Sequence, residues 1–330
     1  MRKGCSIATP EHGVSKMNML AAWLLLGIYL TLVFHPGRVL LTRLSRCSGD
    51  WTVLLLLPPY LLAVNLQPTP GELLRLILFL TLPTLCLRWR SCQARPGDLL
   101  QFLAILALWI PVEADLFVLP VDLLWPERGW GARLASFLGL PGVGTTLLPG
   151  VELPVSKLTA ISLALFLFLV HHPLPGVGFT FRLRLKDWQY ALQGLLAYAV
   201  IGLPLGLGVG FLHFHPLAPS PLHLLAGILG GYFLVALVEE MLFRGAIQNL
   251  LAQRLGKERA GWLIASLVFG LAHLNDATPG FAVPNWAYVL MATPAGMVYG
   301  WVWRRTGKVT VSALTHMLVN LAWGLLFFSP

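Results

Sequence analysis

Ten apolar runs set the terms for this chain, each approaching or exceeding the length that crosses a lipid bilayer. They lie near 18–35, 51–66, 70–88, 99–120, 154–172, 188–211, 222–250, 260–274, 284–303 and 309–328. A helix rises about 1.5 Å per residue, so roughly 20 apolar residues match a hydrocarbon core of about 30 Å. Only 11% of the 330 residues are charged, where a soluble domain carries about a quarter. Water cannot cover that much apolar surface. The runs are continuous rather than alternating over about ten residues, which argues against a β-barrel. The sequence therefore predicts an all-α fold, a polytopic transmembrane helical bundle of about ten membrane helices.

The formal charge of +9 does not point to nucleic acid, because the cations sit in short loops between apolar runs. Arg38, Arg43 and Arg46 follow the first run, and Arg88, Arg90 and Arg95 the third. Arg182, Arg184 and Lys186 follow the fifth. Arg254, Lys257 and Arg259 follow the seventh, and Arg304, Arg305 and Lys308 the ninth. The loops near 67–69, 212–221 and 275–283 have no Lys or Arg, and 121–151 has only Arg128 and Arg133. This alternation puts the odd-numbered loops in the cytoplasm and both termini outside. It describes a multi-pass integral protein, placed here in the plasma membrane with the lipid bilayer as its surroundings. The basic N-terminus (Arg2, Lys3, Lys16) disagrees, and the disagreement shrinks if Met17 is the start. No small-residue cleavage site follows the first run, so it reads as a retained helix.

Finer features are placed on the same frame. Pro58-Pro59 breaks the second run, Glu72 and Arg75 form an (i, i+3) pair, and Glu113 and Asp115 end the fourth run near a polar surface. Trp125 and Trp130 put 121–151 at the membrane interface. Cys5, Cys47, Cys86 and Cys92 show no zinc spacing and read as stray thiols, with Cys86–Cys92 the one pairing open to them. Gly202/Gly206/Gly210, Gly227/Gly231 and Gly296/Gly300 are small-residue spacings that let helices approach closely. The lack of a self-repeat argues against a two-half transporter with a proton relay.

The chemistry concentrates in Gly230 to Gly245, an apolar stretch carrying Glu239, Glu240 and Arg244. Ionisable groups at membrane depth are expensive and mark function by default. Two later runs supply partners: Phe269 to His273, and His316 to Asn320. Glu240 and Arg244 are an (i, i+4) pair, as are Phe269/His273 and His316/Asn320. Glu239 points about 100° away from Glu240. Measured from the basic loops, Glu239 lies roughly 15 Å deep, His273 roughly 20 Å and His316 roughly 10 Å. The expected division of labour has Glu240 neutralised by Arg244 while Glu239 faces a cavity as a general base on water. His273 is placed to orient or share that water. His316 and Asn320 can donate to a developing oxyanion.

The ordered set EExxxR (Glu239 to Arg244), FxxxH (Phe269 to His273) and HxxxN (His316 to Asn320) resembles the CAAX protease and bacteriocin-processing (CPBP) family, which includes the type II CAAX prenyl endopeptidases, the Rce1-like proteases. The resemblance covers roughly 180–330, and FRLRLKDW (181–188) is similar to the basic lead-in of that core. It implies a hydrolase: an intramembrane, glutamate-dependent endopeptidase acting on a membrane-anchored protein or peptide, either prenylated and CAAX-type or carrying a leader or sorting signal. By the resemblance, Glu239 and His273 activate water, His316 and Asn320 form the oxyanion hole, and Glu240, Arg244 and Phe269 support them. It implies domains at 1–150, an accessory transmembrane region, and 151–330, the protease core with its motifs within 231–320. The alternative is a non-catalytic scaffold or immunity protein that retains the motif.

Competing chemistries lack their signatures. HExxH, a GxSG elbow and GxGD are all missing from the sequence, so zinc, serine and aspartyl membrane proteases do not fit. No cofactor is expected; zinc held by Glu239, His273 and His316 is the exception to test. Ser312, four residues before His316, reads as satisfying its own helix backbone. His213, His215 and His223, and the pair His171-His172, read as interfacial. Trp and Tyr near 286–303 read as interface anchors, and Arg304-Arg305 as contacts to anionic lipid.

Overall fold

The computed structural model describes residues 16–63, 70–90, 95–112, 144–148 and 151–328. Eleven helices and two short antiparallel strand pairs are found among them, in two compact units. One gathers the described residues of 16–81 and 144–171, the other those of 82–112 and 172–328.

The first unit contains α1 (Lys16–Val33), α2 (His35–Ser48), a 3₁₀ segment (Gly49–Leu56), α3 (Leu57–Ala63) and α6 (Val155–Phe166), with the hairpin β1 (Gly144–Leu148) and β2 (Val151–Pro154). The chain bends by 97° between α1 and the segment His35–Leu62. Pro36 stands in the first turn of α2, where a missing N–H costs nothing. α1 buries Ala21, Leu25, Tyr29 and Leu32 and exposes Leu20, Trp23 and Leu24. Its exposed face is as apolar as its buried one, the pattern of a helix solvated by lipid. His171 is not interfacial. Its Nδ1 lies 2.8 Å from Ser45 Oγ, its Nε2 lies 2.6 Å from Asp50 Oδ1, and its ring stacks on Phe166 at 5.5 Å. Two partners on α2 and the following 3₁₀ segment thus staple the turn after α6.

α4 (Pro70–Arg88) ends in the second unit, which continues with α5 (Leu99–Trp109), α7 (Leu185–Gly208), α8 (Pro221–Leu255), α9 (Glu258–Ala272), α10 (Trp286–Thr306) and α11 (Val309–Leu326). Inward and outward faces of α7 are inverted in size. Ala191, Gly194, Gly202 and Gly206 are buried with Tyr198, while Leu192, Leu196, Val200 and Ile201 are exposed. Small residues let neighbouring backbones approach where lipid removes the hydrophobic drive to associate. A Cβ on Gly194 would stand 2.7 Å from Thr315 Cγ2 and 2.8 Å from Val302 Cγ2. α9 and α10 approach as closely, since a Cβ on Gly270 would overlap Thr293 Oγ1.

Among the described residues, three helices are long and apolar enough to cross a membrane, α7, α8 and α11, with a fourth span if the bent pair in the first unit counts as one. The predicted ten is not reached. α9 has 15 residues and α5 has 11, short of a full span. α10 ends in Arg304 and Arg305. Glu113, Asp115, Trp125, Trp130, Cys5, Cys92 and the side chain of Glu72 lie outside the described residues. Cys47 is exposed and Cys86 buried, both as free thiols.

At one end of the second unit the basic turns meet. Lys308 Nζ lies 2.6 Å from Asp187 Oδ2 and donates to the Arg182 carbonyl at 2.9 Å. Arg304 reaches Glu258 at 3.5 Å. Gly256 and Gly307 close α8 and α10 with φ of +61° and +65°, a conformation glycine adopts without a Cβ clash. The lead-in 178–184 lies along the turn between α10 and α11, with Thr310 Oγ1 donating to Thr180 O at 2.6 Å. At the other end β3 (His213–Phe214) pairs with β4 (Phe327–Phe328). His213, His215 and His223 are exposed there.

Candidate active site

α8 is not a regular α-helix. Its turns widen to π-helical over Gly231–Ala236 and again over Met241–Gln248, leaving Leu237–Glu240 between them. Such turns are uncommon and are found mostly at functional sites. The two glutamates sit in the short normal stretch. Glu240 is fully buried, and Glu239 keeps about a third of its side chain exposed, 32%.

Glu240 is the better partnered of the two. Arg244 Nε stands 3.1 Å from its Oε2, Ser312 Oγ 2.6 Å from the same oxygen, and His316 Nδ1 3.0 Å from its Oε1. This matches the expected Glu240–Arg244 pair and adds two partners from α11. Ser312 therefore does not spend its hydroxyl on its own helix. Its Oγ lies between Glu240 Oε2 and the Tyr299 carbonyl, which is 2.8 Å away on α10. Arg244 Nη2 donates to Gly296 O at 2.8 Å, and Gln248 Nε2 to Gly300 O at 3.3 Å. The Gly296/Gly300 spacing thus exposes two backbone carbonyls to two side chains four residues apart on α8. A Cβ on Gly300 would stand 2.5 Å from Gln248 Oε1. Gly227 has no neighbour within 4 Å, so the Gly227/Gly231 spacing does not mark a close approach.

Phe269 ties the motifs together. Its ring lies 4.8 Å from His273, 5.8 Å from His316, 4.9 Å from Phe243 and 5.9 Å from Tyr299, and the Arg244 guanidinium stands 4.6 Å over its face. A cation held over a desolvated ring gains electrostatically from the ring quadrupole. His273 stands just past the end of α9, with Nδ1 2.8 Å from the Phe269 carbonyl. A carbonyl only accepts, so Nδ1 carries hydrogen and Nε2 is the nitrogen left for chemistry. His316 is buried, and its Nε2 faces Glu239 Oε2 at 3.9 Å. Glu239 Oε2 makes no hydrogen bond among the described residues.

The four residues expected to act are therefore not equally placed. Glu239 and His316 face each other. His273 reaches the group through Phe269. Asn320, one turn beyond His316 on α11, is exposed. Two tyrosines were missed. Tyr299 stacks on His316 at 4.5 Å and 16°, and Tyr288 packs on His273 at 4.7 Å. Tyr299, 1% exposed, is no interface anchor. The signal open to the sequence was register, since Tyr299 stands three residues after Gly296 and one before Gly300. Among the described residues no group of three or more His, Cys, Asp or Glu is disposed to hold a metal.

Comparisons with known proteins now bear on this geometry. A search of curated proteins and one of solved structures each return no match. Residues 221–322 match the family model described as type II CAAX prenyl endopeptidase Rce1-like. The matched stretch runs from the first residue of α8 to two residues past Asn320 and contains all three motifs.

Proposed function

We propose that this chain is an intramembrane endopeptidase in which Glu239 is the general base. The convergence of three separate motifs around Phe269, with Glu239 and Glu240 on two sides of one imidazole, carries the reading. Glu240 is held ionised by Arg244, so His316 Nδ1 donates to it, and Nε2 is left to face the reacting group. Glu239 Oε2, which makes no hydrogen bond among the described residues, accepts a proton from water as the oxygen attacks the scissile carbonyl. His273 Nε2 shares that water. His316 acts in this step as the imidazolium, with hydrogen on both ring nitrogens, so that its Nε2–H and the Asn320 amide donate to the oxyanion, the stabilisation that dominates acyl transfer. The proton held by Glu239 then passes to the leaving amine. Tyr299 and Phe269 fix the His316 ring.

The substrate of this reading is a membrane-associated protein or peptide, either prenylated and CAAX-type or bearing a leader or sorting signal. The protein sits as a multi-pass chain in the plasma membrane and works without a metal. The test compares purified protein with Glu239→Gln on a membrane-peptide library. Loss of cleavage is expected, and equal cleavage by both would reject the base. A chelator added to the same assay is expected to leave activity intact; loss restored by zinc would overturn the metal-free step.

A further inference from the structure

The basic turns and the open part of the site lie at opposite ends of the second unit. His273 follows the last residue of α9, about 22 Å along the helix from Glu258. Tyr288 stands in the first turn of α10, about 24 Å from Arg304. Asn320 is about 18 Å from Lys308 along α11, and His316 about 12 Å. In a core of about 30 Å this puts His316 at mid-depth and the other three beyond it.

Burial follows the same gradient. Every residue from Val309 to Met317 on α11 is buried, and Arg244, Gln248, Asn249 and Leu250 are buried on α8. That packed layer lies between Glu239 and the basic turns. Past it, Asn320 and Gly324 are exposed. A small apolar slot opens in the same half, lined by Tyr198, Ala199, Gly202, Met291, Ala322 and Trp323 among others. Trp323 packs on Tyr288 at 5.9 Å, and Tyr288 on His273 at 4.7 Å, so two ring contacts link the slot to His273.

We infer that substrate reaches Glu239 from the leaflet opposite the basic face, with an apolar side chain of the peptide seated in the slot beside Trp323. Basic turns face the cytoplasm, so this is the outer leaflet. The substrate is then a membrane-inserted or exported polypeptide whose cleaved segment lies in that leaflet, rather than a tail dipped in from the cytoplasm. The inference rests on the protease reading but is tested separately from it.

The experiment uses the full chain with Cys5, Cys47, Cys86 and Cys92 replaced by alanine. Single cysteines are then placed by Lys257→Cys on the basic face and by Asn320→Cys or Ala322→Cys in the opening. Cells expressing each are treated with a membrane-impermeant maleimide before and after permeabilisation. Asn320→Cys and Ala322→Cys are expected to label in intact cells, and Lys257→Cys only after permeabilisation. Labelling of Lys257→Cys on the same side as the other two overturns the inference. So does protection of both opening positions from either side in chains that label fully once denatured. Either result leaves the Glu239→Gln comparison untouched, so access can fail while the protease reading stands.

Discussion

The buried pair Glu240–Arg244 gives the sharpest test of how the site is held. Neither side chain touches solvent, so removing one partner leaves a charge in a low-dielectric interior, at a typical cost of about 3–5 kcal/mol. The two halves are not equivalent. With Arg244→Met, Glu240 keeps Ser312 at 2.6 Å and His316 at 3.0 Å, which puts the loss near the low end, about 3 kcal/mol. With Glu240→Gln, the guanidinium keeps Gly296 O and the faces of Phe269 at 4.6 Å, Tyr299 at 5.5 Å and Phe243 at 5.9 Å. A desolvated ring gives back about 2 kcal/mol at most, so this loss sits near the high end, about 5 kcal/mol. The double variant removes both charges and should cost no more than Glu240→Gln alone. That corresponds to a coupling of about 3 kcal/mol, at the upper limit seen for residues in direct contact. The assay is denaturant titration of purified protein in a mild detergent, followed by tryptophan fluorescence. Single losses that simply add, within about 0.5 kcal/mol, would refute the pair as the energetic unit of the site.

Two further outcomes follow from contacts on α10. Tyr299→Leu removes the ring stacked on His316 at 4.5 Å, an interaction worth about 0.5–1.5 kcal/mol. It should lower kcat by up to about tenfold at unchanged KM, while Tyr299→Phe keeps the wild-type rate; equal kcat for Tyr299→Leu would remove stacking from the mechanism. Gly300→Ala places a methyl 2.5 Å from Gln248 Oε1 and from Trp262 Cδ1, overpacking that costs about 1–3 kcal/mol. Gly227→Ala meets nothing within 4 Å, so thermal melts of the two variants should separate clearly, and matched melts would show that α8 and α10 do not need their close approach.

The motif helices were legible because polar residues in an apolar run are rare enough to stand out singly. Glu240 and Arg244 announce themselves as a pair by spacing alone, and their 3.1 Å contact follows from the (i, i+4) relation. Partners from other helices are not encoded that way. Nothing local marks Ser312 as a ligand of Glu240, since a serine in a helix satisfies itself equally well on its own backbone. Tyr288 and Tyr299 look like interface anchors in one dimension, because aromatic residues near a run's end prefer that depth. Only the packing of α10 on α9 and α11 turns their rings towards the histidines. Contacts between distant parts of the chain are hidden for a similar reason. Trp109 packs on Phe243 at 5.6 Å, a contact between residues far apart in the chain that no local composition shift records.

The widened turns of α8 explain how one helix serves two opposed needs. Two adjacent carboxylates cannot both be buried without two sets of partners, because each unpaired charge costs several kcal/mol at membrane depth. The π-helical stretch after Glu240 coincides with Arg244 and Gln248 reaching the exposed carbonyls of Gly296 and Gly300. Arg244 is thereby fixed beside Glu240 and over Phe269 rather than beside Glu239. The hydrogen bonds of Ser312 and His316 Nδ1 go to Glu240, while Glu239 Oε2 makes none among the described residues. A bundle built only for stability would share those donors between the two carboxylates. On the proposed reading, concentrating them on one leaves the other to exchange a proton with water, which a staple between helices would not require.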